Sequence, residues 1–291
     1  MHVKSNRTTI IMNRYPINIE PILKARLPRP YRSVPKWGIR PLEWLMCIDR
    51  LNEGLVKFKA AGKYGTDAAQ AVAEFQDCTY SVVGADNLPS TDTPCIFASN
   101  HPLGGMDGVV ELAMLGGKYH NVKAIVNGLL AYLEPLAPAF IPISVFGKQS
   151  RADMEALDNA YQDTDNQILC FPAGECSRLM RWSFKLRDKR WAKSVITYSV
   201  KTQRTIVPIY FEGRNSTFFY AFDLVRAALG ISIIATALLL PWQCIRYARH
   251  KHYTVYIGKP IPYTTFTPDK TPQEWADWLK EQTYNCRHAV S

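Results

Sequence analysis

The chain has 291 residues, 47% of them apolar, which is enough for a sizeable core and too much for a disordered polymer. Lys and Arg outnumber Asp and Glu by ten, which excludes an acidic surface and points to anionic partners such as nucleic acid, an anionic membrane or phosphorylated substrates. The seven cysteines are an odd number and form no CxxC pair. A disulfide framework and a zinc module are therefore both excluded, and the thiols read as reduced, in a cytosolic setting.

The N-terminal segment MHVKSNRTTIIMNRYPIN lacks the apolar run of a signal peptide. Residues 1–40 are basic and proline-punctuated and read as an extended arm. Residues 41–60 have helical periodicity, with Trp44, Leu45, Ile48, Leu51 and Leu55 on one face. That face packs on a core or lies on lipid. Thr66 opens a second helix, TDAAQAVAEFQ. Strands follow at 78–84 and 95–100, a helix at 107–115, and strands at 122–127 and 140–146. Next come a helix at 151–161, a strand at 166–171, a helix at 188–201 and a strand at 205–213. Residues 227–245 are uncharged but broken by Gly230, Ser232, Thr236, Pro241 and Gln243, so a buried or interfacial helix is expected there in preference to a span. A last strand at 252–258 precedes a helix with a capping box, in which Thr271 caps, Pro272 takes the first helical position and Glu274 reaches back.

Strands alternating with helices define an α/β fold: a mixed, largely parallel sheet flanked by helices, behind an N-terminal helical region. Residues 1–65 form the basic arm and amphipathic helix, and residues 66–291 the catalytic domain.

Three stretches have the same form, a strand running into a glycine-containing turn, which is where α/β folds place their sites. In SNHPLGGMDG, the strand to Asn100 leads into His101, with Asp107 opening the next helix. A neutral imidazole takes a proton near pH 7, and a carboxylate on its other nitrogen fixes the tautomer. Gly104 and Gly105 let the turn close, and their amides are candidate oxyanion donors. In FPAGECSR, a strand ends in Phe171, Pro172 and Gly174, then Glu175, Ser177 and Arg178. Arginine at such a position suits an anionic group, although the basic run through Arg181, Lys185, Arg187, Lys189 and Arg190 also fits a solvated face. In IVPIYFEGRNS, the turn supplies Glu212, Arg214 and Asn215. GxSxG, GxxxxGK[ST] and GxGxxG are all absent, and nothing marks a nucleic-acid-binding module.

In this order, NHPLGGMDG, FPAGECSR and IVPIYFEGRNS resemble the motifs of the glycerolipid acyltransferase superfamily, the 1-acylglycerol-3-phosphate O-acyltransferase-like enzymes. The likeness runs over roughly residues 80–265, and FIPISVFGKQS stands where that family has its acceptor block. Five residues, in place of the usual four, separate His101 from Asp107, and Ala173 replaces the family's FPEG glutamate. These features are closest to the branch that carries the hemolysin label, which includes bacterial aminolipid O-acyltransferases.

The resemblance implies that His101 is the general base, oriented by Asp107. The acceptor's hydroxyl then attacks the thioester of acyl-ACP or acyl-CoA directly, with no metal or cofactor. Arg178 would hold the anionic group of a lyso-aminolipid or lysophosphatidic acid. Asn100, Gly104, Gly105, Phe171, Pro172, Gly174, Glu175, Ser177 and Arg214 would complete the substrate site. It also implies work at the cytoplasmic face of the inner (plasma) membrane, with no nucleic-acid partner. Two other readings stand beside it: a Ser99-His101-Asp107 esterase or lysophospholipase, since Ser99 shares a strand face with His101, and a non-enzymatic lipid-binding protein.

Overall fold

The computed structural model describes residues 17–20, 35–144, 150–180 and 185–288. Most of the expected arm over 1–40, residues 145–149 of FIPISVFGKQS, and Arg181 lie outside the described residues.

The helices are α1 (Lys36–Leu45), α2 (Ile48–Ala60), α3 (Thr66–Phe75), α4 (Met106–Gly116), α5 (Arg151–Gln162), α6 (Ser194–Thr202), α7 (Thr217–Ala228) and α8 (Pro272–Asn285). The strands are β1 (Thr79–Val83), β2 (Cys95–Ser99), β3 (Val122–Asn127), β4 (Phe140–Ile143), β5 (Gln167–Cys170), the short pair β6 (Arg178–Leu179) and β7 (Leu186–Arg187), β8 (Thr205–Glu212) and β9 (His252–Ile257). The main sheet has the order β1-β9-β8-β2-β5-β3-β4 and is parallel except for the β8–β9 pair. This is the mixed, largely parallel sheet that the alternation of elements predicts.

β2 lies between β5 and β8 and is buried along its whole length. Its sequence CIFAS therefore lacks the polar alternation of a one-sided strand. The pleat still divides it. Cys95 and Phe97 join the core under α3 and α4. Ile96 and Ala98 join the opposite core, with Tyr161 of α5, Val195 and Ile196 of α6, and Trp275 and Leu279 of α8. Burial pushes the Cys95 and Cys170 thiols up to about 12, in keeping with inert apolar packing.

Three expectations about helices need correction. Residues 41–60 are not one helix: the chain breaks at Met46 and Cys47, whose φ of 53° is left-handed. Ile48 and Leu55 are buried in a cluster that reaches Val72 and Phe75 of α3, whereas Trp44 faces outward. Residues 227–245 are not one helix either. α7 ends at Ala228, the chain turns at Gly230, and short turns follow at Ile234–Ala237 and Leu240–Trp242, then a π-type turn at Gln243–Tyr247. The polar residues of this apolar run are its anchors. Thr236 donates to Asp223, and Gln243 exchanges two hydrogen bonds with Ser216. Among the described residues, no helix is long and apolar enough to cross a membrane. Finally, the helix placed at 188–201 begins at Ser194.

α3 and α4 cross closely because Gly116 meets Thr66. A Cβ on Gly116 would lie 2.4 Å from Thr66 Cβ. Gly116→Ala is expected to lower the melting temperature. Overpacking costs about 1–3 kcal/mol, against about 1 kcal/mol gained in helix propensity. Thermal unfolding followed by circular dichroism checks this.

Candidate active site

Because β2, β5 and β8 are parallel neighbours, their carboxyl ends leave the sheet at one edge. The three turns singled out in the sequence therefore converge there. Asn100 follows β2, Phe171 follows β5 and Gly213 follows β8.

His101 Nδ1 lies 3.0 Å from Asp107 Oδ2. Asp107 is fully buried and also accepts the backbone N–H groups of Leu103, Gly104, Gly105 and Gly108, at 2.8, 3.3, 2.9 and 3.0 Å. The local sequence makes this possible. Gly104 takes a left-handed φ of 75°. A Cβ on Gly105 would stand 2.6 Å from Cys244 Sγ. Burial opposes ionisation of Asp107, but His101 and the backbone donors outweigh it and hold the carboxyl below its usual range. Burial likewise opposes charging of His101, and Asp107 outweighs it, so the imidazole is raised above its ordinary value. The His101 side chain keeps 17% of its surface, and no described residue hydrogen-bonds its Nε2. Phe171 stacks on the ring at 4.1 Å and 30°.

The FPAGECSR turn packs against this pair. Gly174, with φ 68°, closes a turn in which its N–H donates to Phe171 O. Pro172 O accepts from Ala192 N. Ser177 N donates to His101 O at 2.7 Å. Glu175 pairs with Lys189 at 2.7 Å. Two members of the basic run pair with α8: Arg187 with Glu281 and Arg190 with Asp277.

Several predicted roles change. Asn100 is buried and exchanges two hydrogen bonds with the Phe211 backbone, so it ties β2 to β8. The Gly104 and Gly105 amides are donated to Asp107 and are not free for an oxyanion. Arg178 is not open to solvent. Its Nη1 lies 3.1 Å from Asp223, its Nη2 3.5 Å from Glu175, and its guanidinium stacks over Phe219. Arg214 is exposed. Ser99 is fully buried and donates to Glu111 Oε1 at 2.6 Å, not to His101.

Sequence reasoning missed three groups and gave a fourth no role. Asp188, masked by a basic run, is buried against His101 N and Ser177 Oγ. Glu111 stands one helical turn after Asp107. Burial above all, with the fields of Asp107 and Asp188, raises its pKa well above the usual value. Asp223 holds Arg178 and Arg226. Asn215, seen only as part of a weak motif, donates to Pro102 O and Leu103 O and fixes the His101 turn from β8. The one local signal for Glu111 was its i,i+4 spacing from Asp107.

An α/β sheet with a His–Asp pair at a strand end, beside a second glycine turn, marks an enzyme of group transfer or hydrolysis. The family model described as Acyltransferase matches residues 23–291, and the chain belongs to that family. It is 42% identical over 269 residues to a lyso-glycine lipid O-acyltransferase of Phocaeicola vulgatus, covering 92% of this chain and 94% of the relative. It is 40% identical over 269 residues to a lyso-glycine lipid O-acyltransferase of Bacteroides thetaiotaomicron, covering 92% and 96%. A crystal structure of a 1-acyl-sn-glycerophosphate acyltransferase from Thermotoga maritima superposes with a TM-score of 0.47 at 14% identity, covering 90% of this chain and 84% of that one.

Asp107→Asn removes the charge that favours the imidazolium. The His101 pKa is expected to fall, as read by NMR titration of the ring resonance that disappears in His101→Ala.

Proposed function

We propose that the chain transfers a fatty acyl group from the thioester of acyl-ACP or acyl-CoA to the hydroxyl of a lyso-glycine lipid, with His101 as general base. The observation that carries this reading is an imidazole held at Nδ1 by a buried carboxylate, with Nε2 left without a partner among the described residues. The names of its 42% and 40% identical relatives support the acceptor.

The chemistry follows from that geometry. His101 Nε2 takes the proton of the acceptor hydroxyl as its oxygen attacks the thioester carbonyl carbon. The imidazolium formed is stabilised by Asp107. The tetrahedral adduct collapses, the carbon–sulfur bond breaks, and the proton passes to the departing thiolate. An ester and a free thiol result. No protein nucleophile is needed, and positioning of two bound reactants carries much of the rate. Phe171 keeps the imidazole in place, while the turn through Pro172, Gly174 and Ser177 backs it. Arg214, exposed and next to the Asn215 that fixes the His101 turn, is the cation offered to the acceptor's carboxylate.

Both acceptor and product are lipids, so the reaction belongs at the cytoplasmic face of the inner (plasma) membrane. Support comes from side chains that a solvated surface does not favour: Trp37 and Trp44 on α1 are 82% and 68% exposed, and Phe218, Val225, Leu229 and Ile231 are also exposed at and beyond α7. Arg246 lies over the Trp44 ring, and Arg50 and Arg249 line the same groove with Glu43 and Asp49, a net positive lining that suits anionic head groups.

A Ser99 hydrolase is disfavoured because the Ser99 hydroxyl is spent on Glu111. The test is acyl transfer by the detergent-purified protein, supplied with long-chain acyl-ACP or acyl-CoA and with lyso-glycine lipid, lyso-ornithine lipid or lysophosphatidic acid. Diacylated product is expected with lyso-glycine lipid. His101→Ala is expected to lower the rate on the order of 10²–10⁴-fold, and Ser99→Ala to spare transfer per folded molecule. Release of free fatty acid that is lost in Ser99→Ala would contradict the proposal.

A further inference from the structure

Asp188 is 1% exposed and stands between the two turns that form the site. Its Oδ1 accepts the His101 backbone N–H at 3.3 Å and the Ser177 hydroxyl at 2.5 Å. Its Oδ2 accepts Trp191 Nε1 at 2.8 Å. Its own N–H donates to Tyr284 Oη at 2.8 Å, and Lys280 Nζ donates to its carbonyl at 2.7 Å, both from α8. The other side of the His101 peptide is held as well, because Ser177 N donates to His101 O at 2.7 Å. The general base is thus fixed at three points: Asp107 holds its ring, Asp188 its N–H and Ser177 its carbonyl. Two of these three belong to one unit, Ser177 with Asp188, which α8 holds from behind.

We propose that Asp188 is a positioning residue for His101, coupling the FPAGECSR turn and the C-terminal helix to the orientation of the catalytic base. This rests on the acyl-transfer reading above for its catalytic consequence. A buried carboxylate left with water as its alternative would have no reason to meet donors from three separate segments, and burying it is costly unless all of them are in place. Its charge also adds to the field favouring the imidazolium, which it shares with Asp107. The other titratable or charged groups around this unit are Glu111 of α4, Asp277, Lys280, Glu281 and Tyr284 of α8, and Arg187, Lys189 and Arg190 beside it in the chain.

The test needs a variant that removes charge without misfolding. Asp188→Asn alone places an NH₂ either against the Trp191 N–H or against the His101 N–H, a donor facing a donor. Combining it with Trp191→Phe removes that conflict and leaves an oxygen for His101 N and Ser177 Oγ. Transfer kinetics and the NMR titration of His101 are measured for wild type, Trp191→Phe, and the Asp188→Asn/Trp191→Phe pair, with melting curves to correct for the folded fraction. Relative to Trp191→Phe, the pair is expected to lower kcat on the order of 10²-fold, the loss typical of a misplaced reacting group, with KM little changed. The His101 pKa is expected to move down. Ser177→Ala is expected to lower kcat while leaving that pKa in place. A kcat that falls only with the folded fraction, together with an unmoved His101 titration, would overturn the proposal. If the wild type transfers no acyl group, the functional reading fails and the catalytic role of Asp188 with it. The titration then still decides whether Asp188 acts on His101.

Discussion

The Asp107 carboxylate is a full negative charge with no exposed surface, and the active edge of the molecule is built around satisfying it. An isolated buried carboxylate costs several kcal/mol. Here four backbone N–H groups donate to it, and the His101 ring lies 3.0 Å away. None of these contacts survives a change in the path of residues 103–108, so the glycine turn, the start of α4 and the histidine are locked together. The glycines serve this by letting the backbone fold onto the carboxylate, and their amides are consumed in doing so. One anion therefore sets both the shape of the turn and the ionisation of His101.

Around that anion the environment sorts similar groups into different states. Asp107 and Glu111 stand one turn apart on α4, both fully buried. Asp107 accepts four backbone N–H groups beside the His101 ring and its carboxyl is held below the usual range, whereas Glu111 has the Ser99 hydroxyl and is pushed well above it. The same logic governs the arginine of the second turn. Arg178 is nearly buried and meets Asp223 and Glu175, so its charge holds the loop against α7. The parallel order β8-β2-β5 makes this concentration possible, because it delivers three loops to one edge without crossing connections.

Local patterns were legible in the sequence. The alternation of strands and helices, the Thr271–Glu274 capping box and the three strand-to-glycine turns all depend on near neighbours along the chain, and the structure has them. So does the His101–Asp107 pair, since the helix begins at Met106 and aims Asp107 back at the turn. Features set by distant partners were not legible. No glycine or proline marks the break at Met46 and Cys47, so helical periodicity reads straight through it. The apolar run at 227–245 looks continuous until Thr236 and Gln243 find Asp223 and Ser216 on α7. Asp188 is one acid within RDKR, and only packing against Ser177, Trp191 and α8 distinguishes it from a solvated charge. Arg178 and Asn100 carry the right residue types for a ligand site, yet Asp223 and the Phe211 backbone, which hold them, lie far along the chain.

The most direct test of the account is the pH dependence of kcat/KM for acyl transfer, which reports the ionisations of the free enzyme. His101 must be neutral to take a proton, and its pKa is raised in the folded chain. Activity is expected to rise with pH through a single ionisation above the ordinary histidine value of about 6.5, and this limb to move to lower pH in Asp107→Asn. A limb at the same pH in both proteins, or a rate indifferent to pH across that range, would contradict it.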